Sequence, residues 1–192
     1  VGTQQDSYLR PLLTNLRKII KANLSAESFP LTKIIEDYRG HSKDLLFDDD
    51  FISRLLKTQK DDASCFSILA LLMPDLDYSR ALQKDHIHPA AAFGAEKMAQ
   101  YEFLKGKPDA MEFFQNRENW NSIVNLHLLD ESRNKSKQDR PFADWLKEQA
   151  GLSLDALLIP PDAPLDFASF PTFIEKRAEH LRTFLESLSQ SL

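Results

Sequence analysis

The sequence predicts a mainly α-helical protein, a helical scaffold in which two short strands are embedded. Apolar residues recur at three- and four-residue spacing along most of the chain, which is typical of amphipathic helices. Two short runs, Leu82–Ile87 and Ser122–Leu129, lack that spacing and suit extended strands. A polar stretch with helical character begins at Glu131, directly after the second run. We therefore expect one strand–strand–helix (ββα) unit inside an otherwise helical chain.

Four helices are predicted before the first strand from the spacing of their apolar residues. They cover Gln5–Leu24, Leu31–Tyr38, Asp48–Lys57 and Asp61–Leu72. Gly40 follows the second helix and Pro74 stops the fourth. The fourth helix is apolar on nearly every side, so we expect it to be the central helix of the core. The three aspartates Asp48–Asp50 are interpreted as the negatively charged first turn of the third helix, and not as a metal site.

Four more helices are predicted after the first strand. They cover Ala90–Leu104, Pro108–Phe114, Glu131–Gln149 and Ser169–Leu188. Pro108 suits the first turn of its helix, and the helix from Glu131 can kink at Pro141. Pro160, Pro161 and Pro164 mark a loop before the last helix.

The order of these elements predicts three segments. Residues 1–75 form a helical scaffold or the end of a preceding domain, residues 76–150 a ββα core with a helical insert, and residues 151–192 a C-terminal helical segment. Because the sequence begins with Val1 and not with Met, we expect an excised domain, or the C-terminal fragment, of a longer protein.

The composition is that of a soluble globular protein. Hydrophobic residues make up 42% and charged residues 28%, which argues against disorder. The single cysteine, Cys65, excludes disulfides within the chain and zinc sites built from several cysteines. We expect Cys65 to be a buried apolar residue and the chain to be cytoplasmic, without a signal peptide or a membrane span. The net charge of −5 argues against non-specific coating of nucleic acid.

Three polar runs stand out in or beside the predicted ββα unit. They are KDHIHP (Lys84–Pro89), VNLHLL (Val124–Leu129) and SRNKSKQDR (Ser132–Arg140). An aspartate next to a histidine, just before a proline-forced turn, can aim both side chains at one site. The third run holds four basic residues against one aspartate, so it forms a local basic patch in an acidic chain, where a phosphate backbone could lie.

In this order the runs resemble a known nuclease motif. D-H-x-x-P, then N-L-x-L-L, then N-x-x-K is similar to the HNH (His-Me finger) nucleases. The likeness is greatest to the C-terminal HNH-like domain of GmrSD-type modification-dependent restriction enzymes. The similarity covers Lys84–Trp145, roughly a third of the chain. The zinc-knuckle cysteines of many members are missing here, and the last motif residue is Asn134 where others have histidine. The insert between His88 and Asn125 is long, which fits the restriction-enzyme branch.

The resemblance implies a role for each motif residue. Asp85 would be a metal ligand and His86 the general base that activates water. Asn125 would fix the loop that orients His86, and Asn134 would supply the second protein ligand to the metal. Carboxylate and amide oxygens suit Mg²⁺ or Mn²⁺ better than Zn²⁺, so we expect one such divalent ion as cofactor. A histidine of near-neutral pKa can take a proton from water at physiological pH.

The resemblance also implies the substrate and the partners. Arg133, Lys135 and Lys137 would contact the phosphates of DNA, which would be the substrate of this endonuclease. The chain would then be the cutting module of a prokaryotic restriction or phage-defence protein, acting with an N-terminal domain that lies outside this sequence. The oligomeric state is left open.

Several alternatives remain beside this interpretation. His88 and His127 are expected to be structural, and His41 and His180 to be surface residues. Asn134 could also serve as a helix cap, which is compatible with a ligand role. The competing function is a non-catalytic helical module that binds nucleic acid or a partner and keeps a degenerate HNH shape.

Overall fold

The computed structural model describes residues 4–24, 29–40 and 48–190. Helices dominate these residues, and the strands they contain form one small two-stranded sheet. The predicted fold class, a helical scaffold with two short strands, is therefore confirmed. His41, predicted to be a surface residue, lies outside the described residues.

Ten α-helices are seen in the described ranges, in the order in which we number them. They are α1 (Gln4–Ala22), α2 (Leu31–Tyr38), α3 (Asp49–Lys57), α4 (Cys65–Leu72), α5 (Ala95–Met98), α6 (Pro108–Gln115), α7 (Arg117–Trp120), α8 (Glu131–Lys137), α9 (Phe142–Lys147) and α10 (Phe170–Gln190). The Asp48 side chain caps α3 by accepting a hydrogen bond from the Phe51 amide, with Asp49 and Asp50 in the first turn. The aspartate run is thus a helix start in the structure.

The chain divides into two compact units. One comprises residues before Asp48 together with the end of α10, and the other is Asp48–Glu186. In the first unit α1 and α2 contact each other, and the Asn15 amide donates to Tyr38 Oη at 3.2 Å. All three polar runs of the sequence lie in the second unit.

The sheet consists of β1 (Leu82–His86) and β2 (Leu126–Asp130), which run antiparallel. In their register Leu82 faces Asp130 and Asp85 faces His127. Helix α8 follows β2 at once and contacts both strands. Its first turn is fixed by the Asp130 side chain, which accepts a hydrogen bond from the Arg133 amide at 2.9 Å. Strand, strand and helix thus form the predicted ββα unit.

Three predicted elements differ in type or continuity from the structure, and the helix expected over Asp61–Leu72 begins only at Cys65. The helix expected over Ala90–Leu104 is replaced by α5 and two 3-10 segments, Ala90–Phe93 and Glu102–Leu104. Gly94, with extended backbone, separates the first segment from α5. The strand expected from Ser122 begins only at Leu126, after a 3-10 turn over Ile123–Asn125.

The helix expected over Glu131–Gln149 is two helices, α8 and α9. Gln138 ends α8 with a positive φ of 45°. A side chain with a Cβ atom rarely adopts that conformation, so it is a true break in the helix. Pro141 then starts α9, because proline is accepted at the start of a helix but not in its interior.

Arg177 connects α10 to the ββα unit through hydrogen bonds. The guanidinium is buried and donates to five main-chain carbonyls, with Val124 O at 2.6 Å, Leu126 O at 3.0 Å and Leu157 O at 3.0 Å among them. No carboxylate accompanies it among the described ion pairs. Burial lowers the pKa of Arg177 to about 9, which leaves it charged at neutral pH. The last helix thereby holds the turn that leads into β2.

None of the helices in the described ranges combines the length and the apolar character that crossing a membrane requires.

Candidate functional site

Asp85 and His86 are the last two residues of β1, the strand that contacts α8. Asn134 and Lys137 lie three residues apart on α8, so they share the helix face that meets the sheet. The three sequence runs therefore converge on one place. We call Asp85, His86, Asn121, His127 and Lys137 the polar cluster.

The Asp85 carboxylate has two buried partners. Its Oδ2 atom lies 2.8 Å from Lys137 Nζ and 3.2 Å from His127 Nε2. Burial alone would raise the pKa of Asp85, but the His127 hydrogen bond and the Lys137 charge outweigh it and hold the pKa well below its usual range. Asp85 is therefore ionised, and 18% of its side chain is exposed.

The His86 ring is held by two polar groups. Its Nε2 atom lies 3.0 Å from Asn121 Oδ1, and its Nδ1 atom lies 3.4 Å from Lys60 Nζ. The Asn121 amide nitrogen donates to Gln59 Oε1, so its oxygen faces the ring and must accept. This fixes the tautomer: Nε2 carries the proton, and Nδ1 presents its lone pair toward Lys60.

The environment of His86 keeps it neutral. Burial, and next the Lys60 charge, lower the pKa of His86 to about 4. The ring is only 6% exposed. A general base has to reach a water molecule, but in the structure Asn121 and Lys60 cover the ring nitrogens of His86. A substrate would have to displace Lys60 from Nδ1 to bring a water molecule there.

Asn125 holds the backbone on the far side of His86. Its side-chain oxygen accepts from the His88 amide at 2.9 Å, and its amide nitrogen donates to His88 O at 3.1 Å and to Trp120 O at 2.8 Å. Its own carbonyl accepts from the Ile87 amide at 2.7 Å. The side chain is fully buried. These bonds connect the start of β2 to the two residues that follow His86.

Asn134 reaches β1 beside Asp85. Its amide nitrogen donates to Gln83 Oε1, and Gln83 and Asp85 share one face of β1 because they are two residues apart. Among the described residues the Asn134 side-chain oxygen has no hydrogen-bond partner. Asn134 does not cap α8, since that role belongs to Asp130.

The three cations proposed for phosphate contact are placed differently from one another. Lys135 is exposed and lies 2.6 Å from Glu131, and Arg133 is half-buried, 3.9 Å from Asp130. Lys137 is fully buried, where it donates to the His86 carbonyl as well as to Asp85. The expectation that Lys137 faces a phosphate is therefore corrected: its ammonium points inward and neutralises Asp85.

The side chains near Asp85 offer few ligands to the expected metal ion. Within residues 4–24, 29–40 and 48–190, no three His, Cys, Asp or Glu side chains are grouped to hold an ion. Asp85 and Asn134 supply two oxygens of the type that Mg²⁺ and Mn²⁺ accept, on neighbouring elements. Such a pair fits a weakly held ion that keeps most of its water. Lys137 would compete with the ion for Asp85.

Three residues of the site have roles that no sequence pattern indicated: His127, Asn121 and Lys60. His127 faces Asp85 only in the observed register, and its ring packs against Phe142 and Trp145 of α9. Lys60 arrives from the loop between α3 and α4. That loop pairs with residues 121–123 through Lys60 N to Asn121 O and Ile123 N to Thr58 O, both at 2.9 Å. Nothing in the local sequence indicates this long-range pairing.

The site is thus a ββα unit in which Asp85 is paired with His127, Asn125 holds the residues that follow His86, and α8 contacts both strands. Comparison of the chain with protein-family models gives no match, and comparison with curated proteins gives none either.

Proposed function

We propose that this chain is a metal-dependent, HNH-type endonuclease that hydrolyses DNA phosphodiester bonds in a prokaryotic restriction or defence protein of the cytoplasm. The observation that supports this most is the convergence of Asp85, His86 and Asn134 at the ββα unit, with Asn125 holding the backbone after His86. These are the residues that the sequence motifs single out, and they are separated by up to 49 positions in the chain.

In this proposal His86 is the general base. Its Nε2 proton is committed to Asn121, so the lone pair on Nδ1 is the one that takes a proton from water. Asn121 orients the ring and stabilises the imidazolium that forms. Asn125 keeps the backbone of Ile87 and His88 fixed, which limits the positions that the His86 ring can take.

Asp85 and Asn134 would hold the Mg²⁺ or Mn²⁺ ion. When bound, such an ion stabilises negative charge on the phosphate and on the leaving oxygen. Lys137 and His127 keep the Asp85 carboxylate ionised and oriented toward α8. Lys137 therefore acts through Asp85 and not on the substrate.

In this proposal Lys60, and not Lys137, contacts the phosphate. Lys60 is half-buried, lies on the Nδ1 side of His86 and has no acidic partner among the described ion pairs. An ammonium there would meet the phosphate that the activated water attacks. Arg133 and Lys135 would contact phosphates farther along the DNA backbone.

A second candidate function is supported by one observation. The Lys137 ammonium already neutralises Asp85, and His86 is almost fully buried. A ββα unit with these properties could be a non-catalytic module that binds nucleic acid or a partner protein.

A plasmid-nicking assay separates the two candidates. Supercoiled plasmid is incubated with the purified chain in Mg²⁺ or Mn²⁺, beside the variants Asp85→Ala and His86→Ala. Asp75→Ala and His180→Ala are the matched controls, because both lie away from the polar cluster. The nuclease proposal expects nicking by the wild type and both controls, loss in both test variants, and loss on addition of EDTA.

Nicking that survives Asp85→Ala and His86→Ala would contradict the catalytic assignment and indicate a contaminating activity. Absence of nicking with either metal, together with retained binding to DNA in a gel-shift assay, would favour the non-catalytic module. Circular dichroism of every variant establishes that it is folded before its activity is compared.

A further inference from the structure

A cavity of about 700 Å³ opens beside His88 and Pro89. Three stretches of the second compact unit form it: residues 88–101, residues 139–144 and residues 165–167. We call it the aromatic cavity. Its volume lies within the range of roughly 300–1,000 Å³ that is typical of small-molecule sites. The nuclease proposal does not use it.

The walls of the cavity are aromatic. Tyr101, Phe142 and Phe167 line it, and the Tyr101 and Phe167 rings stand 5.1 Å apart between centroids. His88 lies on the inner wall, with its ring centroid 6.4 Å from Phe142 and 6.2 Å from Phe167. Tyr101 and Phe167 are half-buried and keep part of their surface exposed, whereas Phe142 and His88 are almost fully buried. The face of an aromatic ring carries partial negative charge, so the two half-buried rings offer an apolar surface that attracts cations.

His88 itself is an unpartnered polar group. It is only 2% exposed, and its Nε2 atom has no hydrogen-bond partner among the described residues. A buried polar atom left in that state costs about 1–3 kcal/mol, so folding alone gives no reason to keep it. An apolar ring would suit packing among phenylalanines better.

The rim of the cavity is negatively charged. Asp139, Asp144 and Asp166 line it, against one cation, Lys97. Asp144 lies 3.0 Å from Lys147, and Asp166 accepts a hydrogen bond from the Ser169 amide. Asp139 has no ion-pair or hydrogen-bond partner within the described ranges. Burial lowers the pKa of His88 to about 3, so the ring adds no positive charge to the cavity.

We propose that the aromatic cavity binds a small organic cation with a flat apolar body, of the aryl-amidinium or guanidinium class. Aromatic faces attract such a cation, and a planar N–H fork can bind a carboxylate through two hydrogen bonds. Asp139 would be the main anchor and Tyr101 and Phe167 the flat walls. Phosphates and carboxylates are excluded because three aspartates would repel them.

Three probes of one shape but different charge test this directly. Benzamidinium, benzamide and benzoate are titrated into the ¹⁵N-labelled full chain, and binding is followed by the amide shifts of residues 88–101 and 139–144. We expect saturable binding of benzamidinium, binding at least about tenfold weaker for benzamide, and none for benzoate.

Matched variants locate the site. Asp139→Asn removes one charge and keeps the shape, so benzamidinium should bind about fivefold more weakly. Tyr101→Leu removes a flat wall and should weaken binding by a similar factor. Asp75→Asn removes an exposed charge elsewhere and should change nothing.

The proposal is overturned by any of three results. These are equal binding of the charged and neutral probes, preferential binding of benzoate, or no saturation by benzamidinium at millimolar concentration. It is also overturned if Asp139→Asn and Asp75→Asn bind alike. All these readouts concern binding only, so failure of the nuclease proposal would leave them unaffected.

Discussion

His86 and His88 are two residues apart in the same sequence run, yet the structure places them in opposite surroundings. His86 sits in the polar cluster, with Asn121 and Lys60 on its ring nitrogens. His88 sits among phenylalanine rings, where its Nε2 atom has no partner within the described residues. Burial lowers the pKa of both, to about 4 and about 3. In both rings burial is the largest cause of the lowered pKa, so the lowered pKa does not distinguish them; their hydrogen-bond partners decide what each ring can do.

The largest effect we expect is acid unfolding. His86, His88 and His127 have folded pKa values of about 4, 3 and 4, against 6.5 for the ordinary group. Below pH 6.5 the unfolded chain binds protons that the folded chain excludes. Stability should be full above that pH and fall by about 1.4 kcal/mol per histidine for each pH unit below it. At pH 5 the three together would cost about 6 kcal/mol.

This is checked by urea unfolding at pH 7, 6 and 5 in EDTA, followed by the fluorescence of the chain's two tryptophans, Trp120 and Trp145. Replacing either His86 or His88 with glutamine should remove about a third of the slope. The depressed pKa of Asp85 adds its own loss only at lower pH, near and below the ordinary value of 3.8. A stability that stays flat from pH 7 to pH 5 would contradict the burial of these rings.

The next largest effect concerns Arg177, whose hydrogen bonds lie between the environments of His86 and His88. Its guanidinium bonds the carbonyls on both sides of Asn125, and Asn125 in turn holds the His88 backbone. Arg177→Met would leave several buried carbonyls unpaired and should lower the free energy of unfolding by about 3–5 kcal/mol. Denaturant unfolding measures this. Arg182→Met, whose guanidinium bonds Ser53 near the surface, is the matched control and should lose far less.

A double-mutant cycle tests the buried pair in the polar cluster. Asp85→Asn and Lys137→Met should each destabilise the fold by about 3 kcal/mol, because each leaves the other group without its buried partner. The double variant should lose less than the sum, with a coupling of about 1–3 kcal/mol. The exposed pair Lys176–Asp162 provides the comparison and should show much weaker coupling. Additive losses at Asp85 and Lys137 would mean that the ion pair is not formed in solution.

The smallest effect should distinguish the two histidines themselves. His88→Phe removes an unpartnered buried polar atom from among phenylalanines, so the free energy of unfolding should not fall and should rise by up to about 1–3 kcal/mol. His86→Phe leaves the Asn121 side-chain oxygen and the Lys60 ammonium without the ring nitrogens that they face and should cost about 1–3 kcal/mol. Thermal unfolding of both variants at pH 7.5 measures the difference. A larger loss for His88→Phe would show that His88 has a structural partner.

Much of the fold could be predicted because its causes are local. Apolar spacing predicted α2 and most of α3 and α10, and Asp48 fits its role as a cap. The helix over Ala90–Leu104 could not be predicted correctly from spacing alone. Its apolar side chains, such as Phe93 and Leu104, pack into the core from separate short turns, and that arrangement is decided by tertiary contacts.

The site residues could be predicted only where each lies within a recognisable sequence motif. Asp85, His86, Asn125 and Asn134 stand in recognisable runs, and the structure brings those runs together. The inward orientation of Lys137 could not be predicted, because an isolated basic run is normally exposed. Its burial follows from the position of α8 over Asp85, which depends on the strand register.

Chemical rescue of His86→Gly tests the central claim most directly. The variant removes the ring and leaves a space in which imidazole from the buffer can act as the base. The nuclease proposal predicts that plasmid nicking in Mn²⁺ falls at least about 100-fold in His86→Gly and returns in part with added imidazole. Undiminished nicking by a folded His86→Gly variant, or a loss that imidazole does not reverse at any concentration, would contradict the assignment of His86 as the general base.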